Sequence, residues 1–211
     1  MIKATGDFAT VPMILSPNRS SREGAPITSL VWHYTADIGD HEAIDWFLNP
    51  KAQASAHFVV GRSGKITQMV PLAEKAWHAG KETTVYNRNA VGVELVNPGY
   101  VIKKDGKWVT SGGRAWTPDC EPVEKELSWP GGPSVTHTWV PYTSAQCLAA
   151  IAICAMLAGS QYASCLDDQR GHEDIALPPG HKTDPGPLFP WGAVSDAHQR
   201  RNHITRAGDA Q

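Results

Sequence analysis

Apolar residues in this chain come in short runs. Leu30 to Thr35 (LVWHYT) and Val91 to Val96 (VGVELV) are rich in β-branched and aromatic side chains and too short for helices, so both predict buried strands. His57 to Gly61 and Ile66 to Val70 flank Arg62-Ser63-Gly64-Lys65, which predicts a hairpin. Tyr100 to Lys104 and Lys107 to Thr110 flank Asp105-Gly106, which predicts a second. Asp40 is placed to cap a helix from His41 to Leu48, stopped by Asn49-Pro50. Thr143 or Ser144 is placed to cap the best helix, Ala145 to about Leu157. A short last helix is predicted around Ala193 to Arg200.

Between these elements the pattern fades. Residues 1–28, punctuated by Pro, Ser and Arg, read as an extended lead-in. Residues 111–134 are rich in Gly, Pro, Trp and Glu and follow neither period, so they read as a surface loop within an insertion around 100–141. Residues 171–191 read as a Pro/Gly-rich loop, and 193–211 as a helix and polar tail. The order of elements predicts a single α/β domain over 29–192, with a central mixed β-sheet flanked by helices. No glycine-rich strand-to-helix fingerprint is present, which disfavours a nucleotide-binding fold.

Composition adds exclusions. The 211 residues, 41% hydrophobic and 19% charged, suit an ordinary globular core. Nineteen basic against 21 acidic residues give a formal net charge of -2, so no electrostatic case for nucleic acid exists. The first ten residues lack a basic-then-apolar leader, and Cys147 to Ala158 is too short to span a membrane. Cytoplasmic synthesis and a monomer are the expectations. Cys120, Cys147, Cys154 and Cys165 form no CxxC pair, so a cysteine metal site is not expected and reduced structural thiols are. Cys147 and Cys154, seven apart, share a helix face.

Three places put polar groups where packing alone prefers apolar ones. His33 interrupts LVWHYT, and Glu94 interrupts VGVELV. His172, Glu173, Asp174, His181, Lys182 and Asp184 crowd one loop. A carboxylate inside an apolar strand is costly unless a cation or a function compensates it. A lone strand histidine is more often a satisfied core residue than a ligand, but here other donors can join it. Two histidines and a carboxylate make a catalytic zinc set, with a position left open, and His33, His172 and Asp184 can supply one. Lys182 and Asp184, two apart in an extended segment, can face one site.

Five motifs, VWHYTA (31–36), SAHFVVGRSGKITQMVP (55–71), AWHAG (76–80), VGVELVNPG (91–99) and GHEDIALPPGHKTDPGPLFPW (171–191), stand in an order that resembles the type 2 N-acetylmuramoyl-L-alanine amidases. The resemblance covers roughly residues 29–192. It implies one Zn²⁺ held by His33, His172 and Asp184, with Glu94 as catalytic acid–base and Lys182 as catalytic lysine. It also implies a peptidoglycan or muropeptide substrate cut between N-acetylmuramic acid and L-alanine. Some phage members carry a catalytic tyrosine where this chain has Ala56, which shifts the chemistry onto Glu94. Trp77, His78 and Asn87 are expected to line the substrate groove. His57 is expected to be structural, His181 to point away from the metal and Asp174 to cap the loop. Trp116, Trp129 and Trp139 fit either sugar platforms or cover for the sheet. Two roles fit: a phage or prophage endolysin released to the wall by a holin, which the 100–141 insertion favours, or a cytosolic enzyme recycling anhydro-muropeptides. A non-catalytic peptidoglycan-binding module and a peptidase acting within the stem peptide are the rivals.

Overall fold

The structure, a computed structural model, describes residues 7–80, 84–129 and 132–196. In chain order it forms β1 (Arg19–Ser21), β2 (Ser29–Tyr34), α1 (Asp40–Leu48), β3 (Phe58–Val60), β4 (Ile66–Gln68), β5 (Glu74–Ala76) and α2 (Thr84–Asn89). Then come β6 (Ala90–Leu95), β7 (Tyr100–Lys104), β8 (Lys107–Thr110), β9 (Ala115–Trp116), β10 (Val123–Ser128) and β11 (Ser134–Trp139). The series closes with α3 (Ser144–Ala158), β12 (Gln169–Gly171) and α4 (His172–Ile175). Residues 191–196 are also helical, while 197–200 of the expected last helix lie outside the described residues.

The central sheet runs β12-β2-β6-β3-β4. Its first four strands are parallel and β4 is antiparallel, so it is mixed, as the element order predicts. Strand alternation sorts its two faces. Leu30, Trp32, Phe58, Val60, Val91, Val93 and Leu95 point one way and pack against Ala149, Ala150, Ile153, Cys154 and Leu157 of α3. Burial on this scale, about 25 cal/mol per Å² of apolar surface, is the main force holding α3 to the sheet. Thr143 starts that helix with a full capping box: its hydroxyl accepts from Gln146 N–H, and the Gln146 side chain accepts from Thr143 N–H. On the opposite face Val59 packs with Ala43 and Phe47 of α1, and Val31 with Ala79 and Ile175. His33 and Glu94 belong to this second face by parity, and they stand in register on the neighbouring strands β2 and β6.

Three expectations need correction. Asp40 is the first residue of α1 rather than its cap; Gly39 holds the cap position with no side-chain bond. The Asp40 carboxylate instead accepts from Arg62 N–H at 3.2 Å. The lead-in, over its described part from residue 7, is built into the fold. β1 pairs with β5, and the Asn18 amide donates to the carbonyls of Phe47, Asn49 and Ala54. The stretch 111–134 is not a patternless loop. It supplies β9, β10 and the start of β11 to a second, antiparallel sheet in the order β10-β11-β7-β8-β9. Among the described residues no helix is long and apolar enough to cross a membrane.

Candidate metal centre

Four parts of the chain converge on the polar end of the sheet. β2 delivers His33, β6 delivers Glu94, the first turn of α4 delivers His172, and the following loop delivers Lys182 and Asp184. All five border one cavity of about 400 Å³, within the size range of small-molecule sites. His172 was expected in a loop; it is the first residue of a one-turn helix instead.

His33, His172 and Asp184 are buried, and one ligand atom from each lies within 4.8 Å of the others. Asp184 Oδ2 accepts from His33 Nδ1 at 2.9 Å and from His172 Nδ1 at 3.0 Å. Donor atoms around a tetrahedral zinc, each about 2.0–2.1 Å from the ion, stand roughly 3.3 Å apart. Two of the three separations are thus close to what one coordination shell requires, and the third is within 4.8 Å. Among the described residues this is the one such cluster of His, Cys, Asp and Glu. Its electrostatics suit a cation. Burial, then the charge of His172, lowers His33 to about 4 against its hydrogen bond to Asp184, so the imidazole is neutral and free to ligate. Burial opposes ionisation of Asp184, but the hydrogen bonds to His172 and His33 outweigh it and hold the carboxyl below its usual range. Two histidines and one carboxylate are a donor set that fits Zn²⁺.

The loop carrying Asp184 is fastened on every side. Glu173 N–H donates to the Asp184 carbonyl, and Glu173 Oε2 accepts from Gly186 N–H, both at 2.8 Å. Tyr142 donates its hydroxyl to the Pro185 carbonyl at 2.7 Å, and the Tyr34 and Thr183 hydroxyls share a bond of 2.5 Å. Gly186 has φ +80°, and a Cβ there would meet the Trp139 ring at 3.1 Å. Trp139 belongs to β11, so the second sheet props the ligand loop directly, and its Nε1 donates to the Lys125 carbonyl within that sheet. Asp174 caps the turn, accepting from Gly171 N–H at 2.8 Å, as expected.

Glu94 is half-buried, and its Oε2 is sealed from solvent with no hydrogen-bond partner among the described residues. Burial, reinforced by the Asp184 charge and opposed by Lys182, pushes its carboxyl up to about 8. A carboxyl oxygen with no described partner beside this trio is placed to exchange protons rather than to brace the fold.

The three expected groove residues part company. His78 borders the cavity, yet it is buried and its Nδ1 lies 3.0 Å from His33 Nε2. Trp77 and Asn87 border a different cavity. Asn87 Oδ1 accepts from the backbone of His78 and Ala79, at 2.8 and 2.7 Å, and its amide donates to Gly80. Trp77 Nε1 donates to the Ser20 hydroxyl. His57 is structural: Gly92 N–H donates to its Nδ1 at 2.9 Å, and its Nε2 lies 2.7 Å from Arg22. His181 borders the cavity without joining the trio. Trp116, Trp129 and Trp139 are packed cover rather than platforms. Sequence reasoning missed Glu173, Tyr34 and Tyr142 as supports and the exposed Trp46 on the cavity rim. Only the position of Glu173 and Tyr34 beside ligands hinted at them.

A family model described as N-acetylmuramoyl-L-alanine amidase matches residues 23–187. The N-acetylmuramoyl-L-alanine amidase AmiD of Escherichia coli (strain K12) is 32% identical over 189 residues, 84% of this chain and 55% of that protein. The 1,6-anhydro-N-acetylmuramyl-L-alanine amidase AmpD of Enterobacter cloacae is 30% identical over 143 residues, 65% of this chain and 53% of the relative. The chain thus spans about half the length of these curated relatives. A solved complex of E. coli AmiD with the substrate anhydro-N-acetylmuramic acid-L-Ala-D-gamma-Glu-L-Lys aligns at a TM-score of 0.56 and 29% identity, covering 84% of this chain and 58% of that one. An AmpD crystal structure aligns at 0.62 and 23% identity, covering 93% and 99%, a likeness of fold.

Proposed function

Because this chain belongs to the type 2 N-acetylmuramoyl-L-alanine amidase family, we propose that it hydrolyses the amide joining N-acetylmuramic acid to L-alanine, with one zinc ion held by His33, His172 and Asp184. The observation that carries this reading is the buried trio, with Glu94 and Lys182 on the walls of the same cavity. A non-catalytic binding module would need neither an unpartnered carboxyl nor a lysine beside the ligands.

When bound, zinc supplies Lewis acidity, polarising the amide carbonyl and lowering the pKa of a water in the site. The protein's own groups do the rest. Glu94 takes a proton from the attacking water as its oxygen bonds to the carbonyl carbon, then returns that proton to the alanine nitrogen as the C–N bond breaks. A carboxyl raised to about 8 in the metal-free protein is suited to both halves of that exchange near neutral pH. The Lys182 ammonium stabilises the negative charge that gathers on the carbonyl oxygen. The fastened loop of residues 183–186 keeps Asp184 in place through the cycle.

The names of the relatives favour a soluble anhydro-muropeptide as substrate. The segment 100–141, built as a sheet that props the ligand loop and sends Tyr100 to the cavity wall, is the feature that favours intact wall and a lytic role. The deciding experiment assays both substrates with zinc removed by a chelator and then restored. Stem-peptide release that disappears and returns with zinc supports the reading, and the faster substrate assigns the role. Full activity in a metal-free preparation would end it.

A further inference from the structure

The two ring nitrogens of His33 face different partners. Nδ1 faces Asp184 and the ligand cluster, while Nε2 lies 3.0 Å from Nδ1 of His78. That second contact lies wholly inside the protein, since both rings are buried and meet edge to face with centroids 5.1 Å apart. The backbone is arranged around it. Gly92 leaves room for the His78 ring, because a Cβ there would stand 2.5 Å from it, and His57 holds Gly92 by its N–H. Asn87 fixes the main chain of His78 and Ala79. The other nitrogen of His78, Nε2, is sealed and has no partner among the described residues. Among the described residues His33 is therefore the hydrogen-bonding partner of that imidazole, and it sets the tautomer.

Resting on the reading of His33, His172 and Asp184 as a metal site, we propose that His78 is the positioning residue of His33, and that the bond between them reverses when metal binds. A carboxylate only accepts, so in the metal-free protein His33 carries its proton on Nδ1, toward Asp184. His33 Nε2 then accepts from His78 Nδ1–H. With a cation at the cluster, Nδ1 of His33 must be bare. Its proton then sits on Nε2 and is donated to a bare Nδ1 of His78, whose own proton moves to Nε2. Each ring keeps one proton throughout, so the reversal neither releases nor takes up charge. A metal-ligating histidine needs such an acceptor on its far nitrogen to hold its ring and tautomer, and removing one typically weakens metal binding about 10–100-fold. Here that acceptor is a second histidine, which was expected to touch substrate.

Nitrogen-15 NMR of the full chain, metal-free and then zinc-loaded, reads the tautomers directly. Protonation should move from Nδ1 to Nε2 on both His33 and His78 when zinc binds. His78 protonated on Nδ1 in the zinc-loaded protein would overturn the proposal. Competition with a chromophoric chelator gives the affinities. His78→Leu should bind zinc about 10–100-fold more weakly. His78→Asn, whose amide oxygen can stand where Nδ1 stood, should recover most of that loss. A leucine variant that folds and binds zinc like the wild type, or an asparagine variant no better than the leucine, would also overturn it. A wild-type chain that takes up no zinc would instead sink the metal-site reading on which it rests.

Discussion

Removing the Asp184 carboxylate should strip the metal, whereas neutralising Glu94 should not. The two carboxyls share a cavity but differ in what they touch. Asp184 Oδ2 is bonded to both histidines, while Glu94 Oε2 has no hydrogen-bond partner among the described residues. Structural zinc sites with four protein ligands are worth about 10–16 kcal/mol, or roughly 3 kcal/mol for each ligand. Asp184→Ala should therefore weaken zinc binding about 10²-fold. With free zinc in excess of both dissociation constants, that loss subtracts about 3 kcal/mol from the stability zinc confers. At this chain length each kcal/mol moves the melting temperature by about 2–4 °C, so the zinc-induced rise in Tm should shrink by roughly 6–12 °C. Glu94→Gln keeps shape and ligands, and its zinc-induced rise should match the wild type. Calorimetry at fixed free zinc, beside zinc stoichiometry of each purified variant, makes the comparison. A full zinc response in Asp184→Ala, or a lost one in Glu94→Gln, would refute the assignment of the two carboxyls.

Turnover should separate in the opposite sense. Glu94→Gln should lose about 10²–10⁴-fold of kcat, and Lys182→Met about 10²–10³-fold, each with zinc content intact by metal analysis. Metal-free Glu94→Gln should gain stability over metal-free wild type as pH rises. The folded Glu94 carboxyl is raised to about 8, so the fold holds its proton where the unfolded chain does not. Its contribution is full below about 4.5 and is lost as pH rises through about 8; urea unfolding at pH 5 and pH 9 should show the gap widening, and an equal gap at both would count against a buried, unpaired carboxyl. The thiols should be bystanders. Cys154 and Cys165 are buried in the core cluster and pushed up to about 12 by burial, so an alkylating reagent at pH 8 should reach Cys120 and Cys147 only. Alkylated protein, located by peptide mapping, should keep its turnover.

Four strands of the central sheet were legible from two apolar runs and a hairpin signal, while the short edge strand β12 was not. Parity then put His33 and Glu94 on the same face, and register made them neighbours. The ligand set was legible from donor types and motif order. Of the second sheet only the β7-β8 hairpin was legible. β10 is exposed at all but Leu127, and its Val-Glu-Lys-Glu-Leu-Ser sequence shows no apolar face; what orders it is pairing with β11 along its whole length. Pairing through backbone bonds between two largely exposed strands leaves no apolar period to read. The groove residues were not decidable from the sequence for a different reason. Whether His78 or Asn87 meets substrate or braces the site depends on which atoms find partners inside the fold, and Asn87 spends its whole side chain on one turn. Glu173 was passed over because its partner, Gly186, lies thirteen residues away in the sequence.

Mass spectrometry of the products from one defined muropeptide tests the proposed chemistry most directly. Zinc-loaded protein should release the intact stem peptide with a free amine on its L-alanine, and leave the sugar bearing an unsubstituted lactyl carboxylate. In ¹⁸O-water the label should appear in that carboxylate and not in the peptide. A sugar that keeps its alanine, with the label in the new carboxylate of that sugar-linked fragment, would mean that His33, His172 and Asp184 serve a peptidase instead.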